Sequence, residues 1–476
     1  MNVPSYEFLA FTAVVAVAIN ASSNPRWRSF VLLPANLAFV LTFSREPGQL
    51  APFAAFLAIG YAGVKILEVH KRRPSFVALL AIVIFAFCLL RRYAFVPDVL
   101  LVHSLYVTVG ISYVFFRVVH LMVDAYQGAL PERIGPVAYI NYTLNFTCLV
   151  AGPIQLYADY RRYESAKPAE LAWNAVRTAL GRIVTGFFKV SVLSPLVWYF
   201  HSRSLEALLG AQGAAERVGF AALVLALFPV YLYFNFSGYT DVVIGAARFL
   251  RLELPENFNK PFAARGFIDF WSRWHMSLAN WVKTYVYFPL VMALMRRFPS
   301  PKLEPLFSVV GYFVAFFLVG VWHGTTSMFV VLGVLLGLGV SVNKLYQIEM
   351  IRKLGRKRYL ALCEIPFYAA VSRGLTFTWW AISALWFWSS WTQLAQIAAL
   401  LGPGGLASLF ITLAGAASLV LWAPEAGRRI ARLVPAALRL PPLYARTVWY
   451  TALVVITVSV TVVLEAPAPH IVYRSF

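Results

Sequence analysis

The chain has 476 residues, of which 60% are hydrophobic and 13% charged, and its mean hydropathy is +0.70. Because soluble proteins carry about 25% charged residues, this composition excludes a soluble globular protein, a coiled coil and a disordered chain, and indicates a polytopic membrane protein. The net charge of +21 fits basic loops that meet anionic lipid; nucleic acid is excluded as a partner because no finger, basic zipper or RNA-binding motif is present.

Apolar blocks of about 20 residues, the length of a membrane-spanning helix, recur along the chain about a dozen times. No basic n-region or small-residue cleavage site precedes the first block, so a retained span is expected there rather than a signal peptide. The clearest single spans are predicted at 8–24, 47–64, 74–90, 99–116, 218–240 and 447–464. Two longer blocks each predict a helix pair: 305–343, broken near His323, and 374–424, broken at 402–405.

Spans of this length must be helices, because backbone polar groups in lipid are satisfied within their own segment, whereas β spans are about ten alternating residues. The predicted class is therefore all-α. Basic clusters at 71–73, 91–92, 352–358 and 428–432 are expected mostly on the cytoplasmic side. A regular up-and-down count does not place all of them there, which indicates one or more blocks that dip into the membrane and return.

The stretch 248–302 is too polar for a span and too aromatic for an ordinary loop. Trp274, Asn280 and Trp281 give one short helix a mixed polarity around its circumference. Such a helix is stable at a membrane interface or along a polar cavity. A re-entrant or interfacial segment is therefore expected at about 250–300, and the ring of Tyr287 also suits headgroup depth.

Two of the seven histidines are candidates for chemistry. His323 lies between apolar runs with no formal charge, and an ionisable group inside a membrane is a functional candidate by default. The alternative is a histidine that simply hydrogen-bonds a neighbouring helix. Trp322 could form one wall of a pocket, and Gly324 would let a second backbone or a ligand approach closely.

His275 is the second candidate, and its alternative is an interfacial histidine that meets lipid headgroups. One buried histidine and one in an amphipathic dip could converge on a single polar chamber. A neutral imidazole there could remove a proton from a hydroxyl, which is worth roughly 10² to 10⁴ in rate.

Other polar residues inside apolar blocks indicate structure more than chemistry. Arg117, His120 and Asp124 share one helix face and predict a buried network; Asn141 and Asn145 are expected to join helices. Asn235, Ser237 and Asp241 could line a cavity or be structural.

Several common sites are missing from the sequence. Its three cysteines, Cys88, Cys148 and Cys363, lie far apart, so neither a disulfide framework nor a metal site is expected. The motifs of serine hydrolases, P-loop ATPases, dinucleotide-binding proteins and zinc proteases are also missing.

Four stretches resemble the membrane-bound O-acyltransferase family, in its bacterial branch that acts on alginate and teichoic acid. They occupy residues 109–128, 145–163, 233–290 and 316–337. The most specific features are PENFNKPF, then FWSRWHMSLANWV, then VWHG about fifty residues later. The resemblance implies a ring of about 11–12 membrane helices around a central tunnel. Within one integral-membrane domain, 1–476, it places N-terminal spans at 1–108, a core at 109–345 and C-terminal spans at 346–476.

The resemblance also implies an activity. His323 would be the catalytic histidine and His275 the second one, with Trp322, Trp274, Asn280, Tyr287 and Asn235 proposed to line the substrate path. The donor would be acetyl-CoA or another cytoplasmic thioester, used as a substrate with no bound cofactor. The acceptor would be a hydroxyl of an extracytoplasmic polysaccharide, or of a periplasmic partner protein that passes the acyl group on.

Two alternatives to this reading stay open. One is an enzyme of the same family that acylates a lipid or a protein. The other is a transporter or exporter without catalysis. The expected location is the bacterial inner membrane.

Overall fold

The computed structural model describes residues 3–44, 46–101, 106–165, 172–431 and 442–463. Parts of three predictions lie outside these residues: 102–105 of one span, Arg432 of a basic cluster, and Leu464 at the end of the last span. The described residues contain nineteen α-helices and one isolated antiparallel bridge, Phe258 to Trp274. The predicted all-α class is therefore confirmed.

The helices are, in chain order, α1 Tyr6–Asn20, α2 Pro25–Leu41, α3 Ala51–Val69, α4 Arg73–Leu90, α5 Ile111–Gln127, α6 Pro136–Thr143, α7 Tyr157–Ser165, α8 Trp173–Phe188, α9 Ser194–Gly210, α10 Ala214–Phe249, α11 Phe267–Trp271, α12 Met276–Val282, α13 Phe288–Arg297, α14 Glu304–His323, α15 Ser327–Leu354, α16 Arg356–Glu364, α17 Pro366–Trp388, α18 Trp391–Ala431 and α19 Pro442–Val458. A π-helical turn, Lys283–Tyr287, joins α12 to α13.

Eight helical stretches of the described chain are long and apolar enough to cross a membrane. They are Gly48–Val69, Arg73–Leu90, Trp173–Gly210, Ala214–Phe249, Glu304–His323, Ser327–Leu354, Trp391–Ala423 and Tyr444–Val462. The protein is therefore a multi-pass membrane protein. The apolar helix α1 is shorter, at 15 residues.

The predicted span 99–116 is wrong. The helix in this region begins at Ile111 and ends at Gln127, and Gly110, with φ at 81°, precedes it in the left-handed conformation. The prediction ended before the first charged residue, but α5 continues through Arg117 and His120, both of which are buried. Polar side chains that hydrogen-bond inside the protein do not end a helix as they would against lipid.

The predicted break of the block 374–424 is found as a kink. Gly402 interrupts α18 with φ at 62° and ψ at 176°. A second break, at residues 389–390, separates α17 from α18. The break predicted near His323 is present, because α14 ends at that residue and α15 begins at Ser327.

The described helices belong to two compact units. The first comprises Met1–Val190, Phe236–Glu256 and Ser459–Phe476. Its core includes a cluster of three phenyl rings on α1, α2 and the segment after α6, where Phe146 lies 6.2 Å from Phe8 and 5.8 Å from Phe39.

The second unit comprises Ser191–Asn235 and Asn257–Val458, and it contains both candidate histidines. One apolar core joins α9, α10, α17 and α18 through Leu208, Ala221, Val224, Leu225, Phe377, Ala381, Ile397, Leu409, Leu413 and Ala417. Helices α14 and α15 pack with their backbones in contact, because a Cβ on Gly320 would lie 2.2 Å from the Cα of Gly333. Small residues permit this close packing of membrane helices.

Candidate active site

His275 lies at an unusual backbone position in the second unit. It precedes α12 with φ at 44° and ψ at 49°, in the left-handed region, and its side chain is fully buried. This conformation costs a residue other than glycine about 1–2 kcal/mol. Strain of this kind persists only where the surrounding structure holds it, and it is concentrated at functional sites.

A short extended segment holds the chain on the N-terminal side of His275. Phe258 pairs with Trp274 in the antiparallel bridge, and the Asn259 N–H donates to the carbonyl oxygen of Arg273 at 2.9 Å. The rings of Phe258 and Trp274 meet edge to face, with their centroids 5.1 Å apart. The two residues before His275 are thus fixed by both backbone and side-chain contacts.

Asn257 holds the chain on the other side. Its carbonyl oxygen accepts from the Met276 N–H at 3.0 Å. Its side-chain oxygen accepts from the N–H of Ser277 at 3.2 Å and from the Ser277 hydroxyl at 2.6 Å. Because Asn257 is itself fully buried, these bonds clamp the first turn of α12 and keep His275 in place.

His323 is the last residue of α14 and is 3% exposed. Its ring nitrogen Nδ1 lies 2.6 Å from the carbonyl oxygen of Val319, one turn earlier. A carbonyl oxygen only accepts, so Nδ1 carries the proton and the lone pair of the neutral ring is on Nε2. This hydrogen bond therefore fixes the tautomer as well as the orientation of the imidazole.

Aromatic side chains of α17 connect the surroundings of the two histidines. The ring of Phe387 lies 5.1 Å from that of His323 and 6.2 Å from that of Trp380. Trp380 in turn lies 5.2 Å from Trp274, the neighbour of His275. Trp322 meets His323 edge to face at 4.7 Å. The surroundings of both histidines are therefore lined by large aromatic rings.

Electrostatics link the two imidazoles directly. Burial first, and then the nearby His323, lowers the pKa of His275 well below its ordinary value. His275 lies outside the candidate spans and is neutral at physiological pH. The site thus brings two imidazoles into electrostatic reach of each other, and no cluster of three potential metal ligands occurs in the described part of the chain.

A family model described as "MBOAT, membrane-bound O-acyltransferase family" matches residues 72–391, more than half of the chain. The chain belongs to the membrane-bound O-acyltransferase family. The match includes both histidines and α17, which carries Trp380 and Phe387.

Individual relatives are similar over part of their length. The teichoic acid D-alanyltransferase of Bacillus subtilis is 31% identical over 48% of this chain and 57% of its own. The probable alginate O-acetylase of Pseudomonas fluorescens is 25% identical over 71% and 65%. The peptidoglycan O-acetyltransferase of Helicobacter pylori is 30% identical over 44% and 37%. The chain spans about half the length of the curated relatives it matches.

Within this member of the family, the structure places Trp274 and Trp322 beside the histidines that they precede, with Trp274 fully buried and Trp322 half-buried. Asn235 is also buried in the second unit, two residues after Tyr233, whose ring lies 6.3 Å from that of Trp274. Asn280 is exposed on α12. It is not among the buried groups around His275, and its role in substrate binding stays a prediction.

The structure does not bring Tyr287 to His323. The Tyr287 hydroxyl hydrogen-bonds that of Ser308 at 2.8 Å, and its ring packs 4.5 Å from Tyr312. Ser308 and His323 belong to the same helix, fifteen residues apart, which corresponds to about 22 Å along its axis. Tyr287 therefore lies near the start of α14, far from His323 at its end.

The neighbour expected at Gly324 is different from the one found. The phenyl ring of Phe329 occupies the space of a side chain, since a Cβ on Gly324 would lie 2.1 Å from it. A ring from α15, rather than a second backbone or a ligand, is what requires glycine here. The backbone of Gly324 is extended, with φ at −165°, so the requirement is one of space alone.

The polar residues of α5 form a structural network in the first unit, as expected. Arg117 is buried and donates to the carbonyl oxygens of Tyr142, Thr143 and Cys148 at 2.8 to 3.2 Å. His120 accepts the Tyr157 N–H through Nε2 and faces Asp124 through Nδ1 at 3.3 Å.

Asp241, which was considered for a cavity, instead pairs with two cations of the first unit. Its carboxylate meets Arg182 at 2.9 Å and Lys189 at 2.6 Å. Asp241 therefore has a structural role as the partner of two cations, which is the alternative given for it from the sequence.

Sequence reasoning missed Asn257, Ser277, Trp380 and Phe387. The first two lie inside quoted motifs, but a loop asparagine and a helix-start serine carry no signal of their own without the bridge that brings them together. Trp380 and Phe387 lie on α17, in an apolar block whose spacing indicates only a helix. Their separation of seven residues, two helical turns, was the available sign that they share one face.

Proposed function

We propose that the protein is an O-acyltransferase of the cell envelope. It would move a short acyl group, acetyl in the first instance, from a cytoplasmic acyl-CoA thioester to a hydroxyl of an extracytoplasmic polysaccharide, or to a partner protein that passes it on. The names of three similar proteins support this, since they refer to teichoic acid, alginate and peptidoglycan, all extracytoplasmic polymers. The inner membrane of a bacterium is the matching location.

The observation that carries the proposal is the hydrogen bond from His323 Nδ1 to Val319. When the ring is neutral, this bond leaves the lone pair on Nε2, in a site lined by aromatic rings. In the proposed reaction, Nε2 takes the proton of the acceptor hydroxyl as its oxygen attacks the thioester carbonyl carbon. The carbon–sulfur bond then breaks, the proton passes from His323 to the leaving thiolate, and an ester and a free thiol result.

His275 is assigned the second role. Its neutral ring can donate one N–H to the thioester carbonyl and so orient and polarise it. The strained backbone at this residue and the Asn257 clamp support a position that must be held accurately. Trp274 and Trp322 are proposed to line the path of the acyl group, with Asn235 as a further lining residue; Asn280 and Tyr287 are assigned to its outer parts.

The sharpest variant is His323→Asn. Asparagine places its amide nitrogen where Nδ1 lies in histidine, so the bond to Val319 is retained while the base at Nε2 is removed. The protein is purified in detergent, and transfer or hydrolysis of radiolabelled acetyl-CoA is measured. The wild type and the His70→Asn control, which changes an exposed histidine, are expected to turn over acetyl-CoA. His323→Asn is expected to lose at least about 10²-fold of that rate.

The same assay separates the alternatives. Retention of acetyl-CoA turnover in His323→Asn would contradict the role of His323. Binding of acetyl-CoA by the wild type with no turnover would instead support a transporter or exporter. Fractionation of the label into glycan, lipid and protein, with donors of several chain lengths, identifies the acceptor class, and label found only in lipid or protein would overturn the polysaccharide assignment.

A further inference from the structure

Two buried indole groups beside the histidines have donors without acceptors. The Nε1 atoms of Trp271 and Trp380 have no hydrogen-bond partner in the described part of the chain. The two residues are 3% and 1% exposed. Buried polar groups in proteins are nearly always hydrogen-bonded, so an exception is costly to the fold and requires a cause.

The two indole rings lie together, and Trp380 is next to the site. The ring centroids of Trp271 and Trp380 are 5.9 Å apart, and Trp380 lies 5.2 Å from Trp274, which precedes His275. On the other side, the ring of Phe387 contacts both that of Trp380 and that of His323. The two unsatisfied indoles therefore belong to the aromatic cluster that lies between the surroundings of the two histidines.

The next residue on α17 shows that this helix can satisfy an indole. Trp379 donates its Nε1–H to the carbonyl oxygen of Leu335 on α15 at 3.1 Å. Its neighbour Trp380 makes no such bond, although it is more deeply buried. Trp386 is a second unsatisfied indole on α17, placed about 120° around the helix from Trp380. The helix thus carries three tryptophans that can be compared: Trp379 with a bonded N–H, and Trp380 and Trp386 with N–H groups that lack a partner among the described residues.

We propose that the indole N–H groups of Trp380 and Trp271 hydrogen-bond the carbonyl oxygen of the acyl group. This deepens the proposed function and rests on it. When the acceptor oxygen adds to the carbonyl carbon, the electron pair of the C=O bond moves to that oxygen, and the two donors stabilise the resulting charge. No proton leaves either indole, and the C=O bond re-forms as the thiolate departs. A donor of this kind, aimed at developing charge in a site without water, typically contributes about 10² to 10³ in kcat.

Trp380→Phe is the central test, because it removes the N–H and keeps an aromatic ring. We expect kcat for acetyl transfer to fall about 10²-fold, with KM for acetyl-CoA changed less than threefold. Trp271→Phe is expected to show the same pattern. A kcat within twofold of the wild type in both variants would overturn the proposal, since donors that bind only water contribute nothing to the rate.

Two controls separate this role from packing. Trp379→Phe loses the bond to Leu335, so it is expected to lower the thermal unfolding midpoint more than Trp380→Phe does, while its kcat stays near that of the wild type. Trp386→Phe removes an unsatisfied donor elsewhere on the helix and should change neither quantity substantially. If Trp380→Phe lowers kcat only in proportion to lost folded protein, the proposal fails.

A spectroscopic measurement does not depend on turnover. Acetyl-CoA carrying a ¹³C carbonyl is bound to His323→Asn, and the carbonyl band is recorded by isotope-edited infrared difference spectroscopy. We expect a band lowered in frequency relative to free acetyl-CoA, and its return toward the free value in His323→Asn/Trp380→Phe. An unchanged band in the double variant contradicts the proposal. If the wild type shows no transfer but the band shifts as expected, the proposed function fails and the carbonyl site remains.

Discussion

His323 and Val319, one turn apart in α14, are joined by a 2.6 Å hydrogen bond from Nδ1 to the carbonyl oxygen. The partner is backbone, not a carboxylate, so no negative charge strengthens the base at Nε2. The hydrogen bond fixes where Nε2 lies, so the position of the ring is what the fold controls here. The surroundings of both histidines are consequently where sequence changes should have their largest effects.

Protonation of His275 should destabilise the fold in acid. Burial and His323 lower its pKa in the folded protein, whereas the unfolded chain has the ordinary value of about 6.5. The contribution is therefore complete above about pH 6.5 and is lost progressively as the pH falls below that value and through the lowered pKa of the folded protein. His275→Asn cannot be protonated, so its stability should fall less steeply, by up to about 1.4 kcal/mol per pH unit. Thermal unfolding in detergent from pH 7.5 to 5 measures the difference.

The control for this experiment is His70→Asn, because His70 is exposed. It should follow the wild-type slope. Equal slopes for all three proteins would show that His275 is not held neutral by the fold. Asparagine also tolerates the left-handed backbone at this position, so the variant is expected to fold.

Ser277→Ala should reduce the rate without affecting substrate binding. It deletes the hydroxyl bond to Asn257, at a cost of about 1 kcal/mol in stability, and loosens the clamp that positions His275. We expect kcat to fall about tenfold and KM to stay constant, measured by acetyl transfer. Ser272→Ala is the matched control, because that serine bonds Asp269 on the exposed side of the same loop. If both variants behave alike, the Asn257 clamp has no positioning role.

Gly324→Ala should be tolerated only when Phe329 is made smaller. The new methyl group would lie 2.1 Å from the phenyl ring, and overpacking of this kind costs about 1–3 kcal/mol. Because Phe329 also contacts Phe387, a wall of the site, activity should fall together with stability. Gly324→Ala/Phe329→Leu should recover at least half of the lost stability. A double variant whose losses are simply additive would show that the two residues do not interact.

Gly320→Ala should be more harmful than any alanine placed at an open glycine. Its Cβ would meet the backbone of Gly333 at 2.2 Å, which no side-chain rotation can relieve, so α14 and α15 must separate. We expect a loss of at least about 3 kcal/mol or no folded protein at all. Gly404→Ala, where no atom lies within 4 Å, is the control and should unfold like the wild type. Membrane yield and unfolding midpoint give the comparison.

Hydropathy predicted most spans well because lipid-facing helices such as α4 and α14 must be apolar along their whole length. It failed at α5 because a helix enclosed by protein is free to carry Arg117 and His120, whose partners come from residues 142–157. These contacts join positions distant in sequence, and no local pattern encodes them.

At the site, the motifs singled out two histidines that the structure places in one unit, but they did not indicate the residues that hold these histidines in position. His275 and His323 stand out as ionisable residues in apolar or aromatic sequence. The clamp through Asn257 and the α17 rings through Trp380 depend on the tertiary fold, since each acts on a histidine more than fifteen residues away. Tyr287 shows the converse, because it shares the aromatic segment with His275 yet hydrogen-bonds the far end of α14.

The length of α14 determines how far His323 lies from the other end of this helix across the membrane. Twenty residues at 1.5 Å each separate Glu304 from His323 by about 30 Å, the thickness of the hydrocarbon layer. The number of residues in α14 therefore sets the distance along the helix axis at which His323 lies. Removing one turn would move His323 by about 5.4 Å along the helix axis, a change in depth that no substitution of a side chain produces.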